Sequence, residues 1–240
     1  MKGLILAGGK GTRLLPATKY MNKHMVPILN TPMIVYPLNT LKSIGIVDIM
    51  VVSGGDHIGQ IAEFLGDGSD FGVKLTYKVQ REAGGIAQAL GLAKDFINGE
   101  GVATILGDNI FGSPYLKEFS EDVGKEKALV YLSSQDEPSR FGVAVFDSGE
   151  LVAVEEKPKI PKSKYVVTGL YIYPPDVFDK ILTLKPSNRG ELEITDINNM
   201  YINEGRCHYF LLDSFWSDAG TPESLKEVID WAYKKLALDK

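Results

Sequence analysis

Four short apolar runs, separated from one another by amphipathic segments, constrain this chain more than any other feature. They are Leu4–Ala7, Ile49–Ser53, Leu75–Val79 and Val102–Leu106. Compact hydrophobic stretches of this length suit strands buried on both faces. The spacing predicts helices between them over Met33–Ser43, Ile58–Leu65 and Gly85–Phe96. Gly45 is placed to close the first helix and Asp56 to cap the second. Strands that alternate with helices imply an α/β fold, a Rossmann-like, mostly parallel mixed sheet flanked by helices. In such sheets ligands bind outside the carboxyl ends of the strands. A site is therefore expected in the loops after Ala7, Val79 and Leu106.

The pattern changes near Lys127. Leu129–Leu132, Val143–Phe146, Leu151–Glu155 and Val166–Tyr173 follow as strands with little helix between them. Pro175–Leu184 and Thr195–Glu204 have helical spacing, His208–Leu212 reads as a strand, and Thr221–Leu238 as a closing helix. No linker, repeat or low-complexity segment interrupts the chain. Its 240 residues predict one domain, 1–240, whose halves 1–126 and 127–240 share a sheet. A net charge of −5 argues against nucleic acid as a partner, so a phosphate-rich ligand would need a local basic pocket. The single cysteine, Cys207, cannot form an internal disulfide, which fits a reducing compartment. Gly8 and Gly9 cut the first apolar run too short for a signal peptide, and no run approaches the roughly 20 apolar residues of a membrane helix. A soluble, cytoplasmic protein is expected, with no membrane partner.

The loop after the first run is Gly8-Gly9-Lys10-Gly11-Thr12-Arg13-Leu14-Leu15-Pro16. Glycines directly after a buried strand let backbone N–H groups approach a phosphate without β-carbons in the way. Arg13 offers a planar fork of donors and Lys23 a point charge, a pair suited to a triphosphate. Two other glycine motifs do not fit. A dinucleotide fingerprint needs glycine where Leu14 stands, and a P-loop needs Gly-Lys-Ser/Thr after four spacers.

With Leu6-Ala7 before it, and Thr18, Lys23 and Pro27 after it, this loop resembles the signature of the sugar-phosphate nucleotidyltransferases. Further segments resemble the glucose-1-phosphate thymidylyltransferase branch of that family. They are Gln80 with Gly84–Ala89, Leu106–Phe111, Arg140–Val143, Glu155–Pro158, Val167–Tyr171, Arg189–Asp196 and Trp216–Thr221. They run in order along nearly the whole chain. His24 departs from the long forms of the branch, which carry Gln there. The chain ends at Lys240 and looks like a short form, so any feedback by dTDP-sugars is expected to act by competition at the active site.

The resemblance implies transfer of a nucleotidyl group from dTTP to glucose 1-phosphate, with Mg²⁺ as cofactor and pyrophosphate as the second product. It implies a nucleotide half, 1–126, and a sugar half, 127–240. Nucleotide contacts fall to Leu6, Gly8, Gly9, Gly11, Thr12, Arg13, Lys23, Gln80, Gly85 and Asp108. Sugar contacts fall to Asn109, Gly142, Glu156, Lys157 and Val167, the valine through its main chain. Arg13, Lys23 and Lys157 are the implied catalytic cations, and a homo-oligomer is a possibility.

Residue chemistry accords with several of these assignments. Asp108 follows a buried strand and Asp218 precedes Ala219-Gly220-Thr221 and the last helix, both at strand ends. Two carboxylates can hold Mg²⁺ together with phosphate oxygens. A lone Asp at such a place is more often a cap or turn residue. Alternation along Val152, Val154 and Glu156 puts a carboxylate on an apolar face, which is costly without a polar partner. Gln80 carries both a donor and an acceptor, as a pyrimidine edge requires. His24, His57 and His208 show no metal-ligand spacing. Trp216 is expected in the core or as a wall behind Asp218. Leu225, Val228, Ile229, Ala232 and Leu236 are spaced to pack the last helix on the core. Glu118, Glu121, Asp122, Lys125, Glu126 and Lys127 read as a solvated face. The alternative activities are uridylyl transfer from UTP to give UDP-glucose, another hexose 1-phosphate as acceptor, and a non-catalytic sugar-nucleotide sensor.

Overall fold

The computed structural model describes residues 1–56, 58–112 and 121–238. His57 and Glu118 lie outside the described residues. In chain order the elements are β1 (Lys2–Ala7), β2 (Pro27–Ile28), β3 (Thr31–Pro32), α1 (Val35–Ser43), β4 (Asp48–Gly54), α2 (Ile58–Leu65), β5 (Lys74–Gln80), α3 (Ile86–Gly91), α4 (Lys94–Ile97), β6 (Val102–Leu106) and β7 (Ile110–Phe111). There follow β8 (Ala128–Ser134), β9 (Gly142–Asp147), β10 (Glu150–Glu156), β11 (Tyr165–Tyr173), α5 (Val177–Thr183), α6 (Ile194–Asn203), β12 (Cys207–Leu211), β13 (Trp216–Ser217) and α7 (Pro222–Leu238). This is the expected α/β class, a mixed sheet flanked by helices. No helix among the described residues is long and apolar enough to cross a membrane.

Two compact units divide the chain. The parallel unit comprises Gly3–Ala83, Ile105–Tyr115 and Ser214–Lys240. Here β1 pairs in parallel with β4, and β4 with β5. Leu4, Ile5 and Ala7 are fully buried, as strands covered on both faces require. Val26, Ile28, Met33, Ile110, Ala219, Val228 and Ala232 form a core cluster in this unit, with Leu225 and Ile229 packed against it. The inner stripe of α7 thus ends at Ala232. Leu236 continues the period but stands half exposed.

The antiparallel unit comprises Met1–Lys2, Gly84–Thr104 and Leu116–Asp213. Here β9 pairs antiparallel with β10 and with β11, β8 pairs antiparallel with β11, and β12 joins β8 in parallel. Two expectations change in this unit. The helix expected over Gly85–Phe96 is broken into α3 and α4, with Leu92 and Ala93 donating to the carbonyls of Ala89 and Leu90 in tighter i→i+3 bonds. Gly91, a poor helix former, ends the first piece. A register shift between Leu151 and Ala153 also takes Val152 out of the alternation, leaving it 42% exposed while Val154 is buried.

Candidate active site

The parallel unit places its chemistry at the ends of β1 and β6. Gly9 and Gly11 both have positive φ, the region where a side chain would be strained. Thr18 pins the loop by donating its hydroxyl to the Gly11 carbonyl at 2.7 Å, and a β-carbon at Gly11 would stand 3.0 Å from side-chain carbons of Thr18 and Lys23. The motif threonine is therefore a brace for the glycine turn. Gln80, at the end of β5, holds its Oε1 beside Gly8, 3.0 Å from where a β-carbon would be. Leu6 is buried in β1, whereas Thr12 and Arg13 are exposed on the loop.

Beneath this loop lies an ion pair with little solvent around it. Lys23 Nζ donates to Asp108 Oδ2 at 2.6 Å, and the two side chains are 14% and 12% exposed. A chain of hydrogen bonds orients the carboxylate. Trp216 Nε1 donates to Asn109 Oδ1 at 2.8 Å, and Asn109 Nδ2 donates to Asp108 Oδ1 at 3.1 Å. Burial, the largest single influence, pulls the Asp108 carboxyl upward, but the Lys23 charge, His24 and the hydrogen bonds from Lys23 and Asn109 together outweigh it and hold the group down at about 2. Asp108 is thus an ionised carboxylate at neutral pH.

The main chain at Asp218–Gly220 comes to the same place from the far end of the sequence. A β-carbon at Gly220 would stand 3.1 Å from the Asp218 carbonyl oxygen, 3.3 Å from Asp108 Oδ2 and 3.3 Å from Arg13 Nη2. Hard oxygen donors with a carboxylate at their centre suit Mg²⁺, which takes a few carboxylates and completes its shell with water and phosphate. Among the described residues no three His, Cys, Asp or Glu side chains converge on a metal position. An ion here would therefore lean on ligand phosphates.

His24 fills the space under Gly107. A β-carbon at Gly107 would lie 2.7 Å from His24 Cδ2, so glycine is required for the ring to sit there. Asn22 Oδ1 accepts from the His24 backbone N–H at 2.8 Å and lies 2.7 Å from Nδ1. An amide oxygen only accepts, so Nδ1 carries the ring proton. Burial, and then the Lys23 charge, lower the ring to about 3, and the imidazole is neutral. His24 is a buried wall of this site.

The antiparallel unit gathers a second set around Glu156. Thr195 donates its hydroxyl to Glu156 Oε2 at 2.5 Å, while Arg189 Nη2 reaches Oε1 at 3.3 Å and Lys157 Nζ at 3.5 Å. Gly142 is the residue opposite Glu156 in the β9–β10 ladder, and a β-carbon there would stand 3.5 Å from Oε2. The same β-carbon would stand 3.1 Å from Val154 Cγ1 and 3.4 Å from Thr195 Oγ1, so glycine avoids crowding the Thr195–Glu156 contact. Lys157 leaves the strand with a φ of 44, an unfavourable value for a side-chain-bearing residue, and its N–H is tied to the Phe141 carbonyl at 3.0 Å. Val167 is buried and pairs with Leu132 in the β11–β8 ladder, whose register shifts between Val167 and Tyr171.

Arg189, Glu193 and Thr195 lie in the motif run already noted, yet the residues alone suggested no task for them. The structure shows one. Glu193 accepts from Arg189 Nε at 3.2 Å and Nη2 at 2.7 Å, and from the Ser187 hydroxyl at 2.6 Å. The only sequence signal was the spacing of Arg189 and Glu193 by four positions. Gly85 sits in this unit too, apart from the other residues expected to meet a nucleotide.

The comparisons with known proteins agree with this architecture. A family model described as nucleotidyl transferase matches residues 2–234. The chain belongs to the nucleotidyl transferase family. A family member from Neisseria meningitidis serogroup A, a glucose-1-phosphate thymidylyltransferase, is 43% identical over 232 residues, 95% of this chain and 81% of that protein. Among solved structures, a Bacillus anthracis protein assigned as a glucose-1-phosphate thymidylyltransferase, in complex with a sucrose, superposes with a TM-score of 0.91. It is 51% identical, over 97% of this chain and 95% of that one. A UDP-glucose pyrophosphorylase complexed with UDP-glucose superposes at 0.83 with 25% identity, covering 98% of each chain.

Proposed function

We propose that the protein is a glucose-1-phosphate thymidylyltransferase, forming dTDP-glucose and pyrophosphate from dTTP and glucose 1-phosphate. The observation that carries this reading is the near-dry Lys23–Asp108 pair under the glycine loop, with Arg13 Nη2 and the Asp218 main-chain carbonyl beside it. It supplies both a phosphate-binding cation and an ionised carboxylate for a metal. The identity to curated thymidylyltransferases along almost the whole chain supports the choice of substrates.

In the proposed reaction an oxygen of the sugar phosphate attacks the α-phosphorus of dTTP in line. The new P–O bond forms as the bond to the bridging oxygen of the β-phosphate breaks, and pyrophosphate leaves with the electron pair. A phosphate is already a competent nucleophile, so no general base and no covalent intermediate are needed. Transfer of this kind depends on positioning and charge stabilisation. Leu6, Gly8, Gly9, Gly11 and Thr12 present the phosphate-binding main chain, and Gln80 and Gly85 meet the base. Arg13 steadies the leaving pyrophosphate, and Lys23 holds the nucleotide phosphates. Lys157 orients the attacking oxygen, while Asn109, Gly142, Glu156 and Val167 hold the sugar. Mg²⁺ on Asp108 and Asp218, when bound, neutralises phosphate charge. The nucleotide half is 1–126 and the sugar half 127–240, with Asp218 lent to the metal. The setting is the cytoplasm, and self-association is part of the proposal.

Measuring pyrophosphate release across dTTP, UTP and the other nucleoside triphosphates against several sugar 1-phosphates tests the reading. The highest kcat/KM is expected for dTTP with glucose 1-phosphate. The likeness to UDP-glucose pyrophosphorylase favours UTP as the second reading, and a clear UTP preference would establish it instead. Sugar-independent or absent turnover would remove both.

A further inference from the structure

The Gly84–Gly85 turn and the segment that carries Arg189 and Glu193 form one backbone structure. Leu192 N–H donates to the Gly84 carbonyl at 2.8 Å, and Ala87 N–H donates back to the Leu192 carbonyl at 3.3 Å. Gly85 has a φ of 96, and a β-carbon there would stand 2.5 Å from the Leu192 carbonyl oxygen, so no side chain can come between them. The segment is also braced internally. Ser187 N–H donates to the Glu191 carbonyl at 2.9 Å, and Gly190 N–H to the Ser187 carbonyl at 2.8 Å. The Ser187 hydroxyl then holds Glu193, Glu193 holds Arg189, and Arg189 with Thr195 holds Glu156. A displacement at Gly85 therefore reaches Glu156 through backbone pairing and four side chains, with no free rotor at the first step.

Arg189, Glu191 and Glu193 are partly exposed, and the braces among them are ion pairs that solvent weakens. Such a segment gains most from being held at one end. We propose that the Gly84–Leu192 pairing couples nucleoside to sugar phosphate. A base seated on Gly85 fixes residues 187–193 in the arrangement that presents Glu156, and so raises the affinity for the hexose 1-phosphate. Leu192 is a positioning residue in this scheme and touches neither ligand. The inference rests on the reading above, in which Gly85 meets the base and Glu156 the sugar. Linkage makes the effect reciprocal, so the sugar phosphate tightens nucleoside binding by the same factor.

Calorimetry with unlabelled ligands tests it. Glucose 1-phosphate is titrated into the full chain alone, with saturating thymidine, and with inorganic triphosphate as a baseless control. Thymidine should raise glucose 1-phosphate affinity by about five-fold or more, and triphosphate should not. Leu192→Pro removes the donor to Gly84, and Ser187→Ala loosens the brace without disturbing that pairing. In either folded variant the factor should fall below about two, while each ligand alone keeps its affinity. The coupling is overturned if both ligands bind the natural chain independently, which leaves the proposed function standing. It is also overturned if the factor survives in both variants. If neither thymidine nor glucose 1-phosphate binds at all, the functional reading falls with it.

Discussion

The parallel unit concentrates its charge in one buried pair, while the antiparallel unit spreads charge over a half-exposed network. Lys23 and Asp108 meet at 2.6 Å with their side chains 14% and 12% exposed. Arg189, Glu156 and Lys157 meet at 3.3–3.5 Å with side chains 29–47% exposed. A Coulomb interaction strengthens as water is excluded, so each charge of the first set counts for more. Exposed pairs in the second set contribute little singly and are screened by salt. The first arrangement suits a fixed, strong field on phosphate charge, and the second suits an adjustable grip on hydroxyls.

That contrast can be broken experimentally, beginning where the effect should be largest. Asp108→Asn removes the buried negative charge, and Asp218→Asn the second carboxylate proposed to hold Mg²⁺. Each should lower kcat/KM on the order of 10²–10³-fold, with an unchanged circular dichroism spectrum. Near-normal turnover of both at saturating Mg²⁺ would show that the buried pair is only structural.

Lys157→Ala should act on one substrate. Loss of a charged hydrogen bond is worth about 1.5–3 kcal/mol, roughly ten- to a hundred-fold, and it should be seen in the KM for glucose 1-phosphate and in kcat. The KM for dTTP should stay where it was. Calorimetry showing lost dTTP affinity and unchanged sugar-phosphate affinity would reverse the roles given to the two sets.

A smaller effect follows from His24. Its folded pKa is depressed to about 3 from an ordinary 6.5, chiefly by burial. Between those values the unfolded chain binds the proton and the folded chain does not, so stability falls as pH drops from about 6.5 toward 3. The slope from this one ring is about 1.4 kcal/mol per pH unit at most. Urea unfolding of a His24→Gln variant should therefore show a shallower loss between pH 6 and 4 than the natural chain, with Asp108 adding its own loss only below about 4 in both. Identical slopes would mean that the ring is not held neutral.

The smallest effect should be Glu193→Gln. It halves the grip on Arg189, and the KM for glucose 1-phosphate should rise only a few-fold, about 1 kcal/mol or less. The increase should shrink further in high salt, whereas the Asp108→Asn defect should not. Equal salt dependence in the two variants would erase the distinction between the units.

Residues adjacent in sequence made the parallel unit readable in advance. The run Leu4–Ala7, the glycine loop and Arg13 follow one another directly, so local backbone rules fix them together: a buried strand, positive-φ glycines and a cation. The α/β class and most element positions followed from hydrophobic period in the same way. Local rules failed where neighbours outside the window decide. Val152 left its alternation because the β9–β10 register shifts, and the Gly85–Phe96 helix broke at a glycine that periodicity alone had passed over. What only tertiary structure decided was partnership. Asn109 is tied to Trp216 107 positions later, and Glu156 to Thr195 39 positions later. Gly85 is pressed against Leu192. Hydrogen bonds and close backbone approach depend on distances of a few ångströms between segments that the sequence keeps far apart, and packing alone sets those distances.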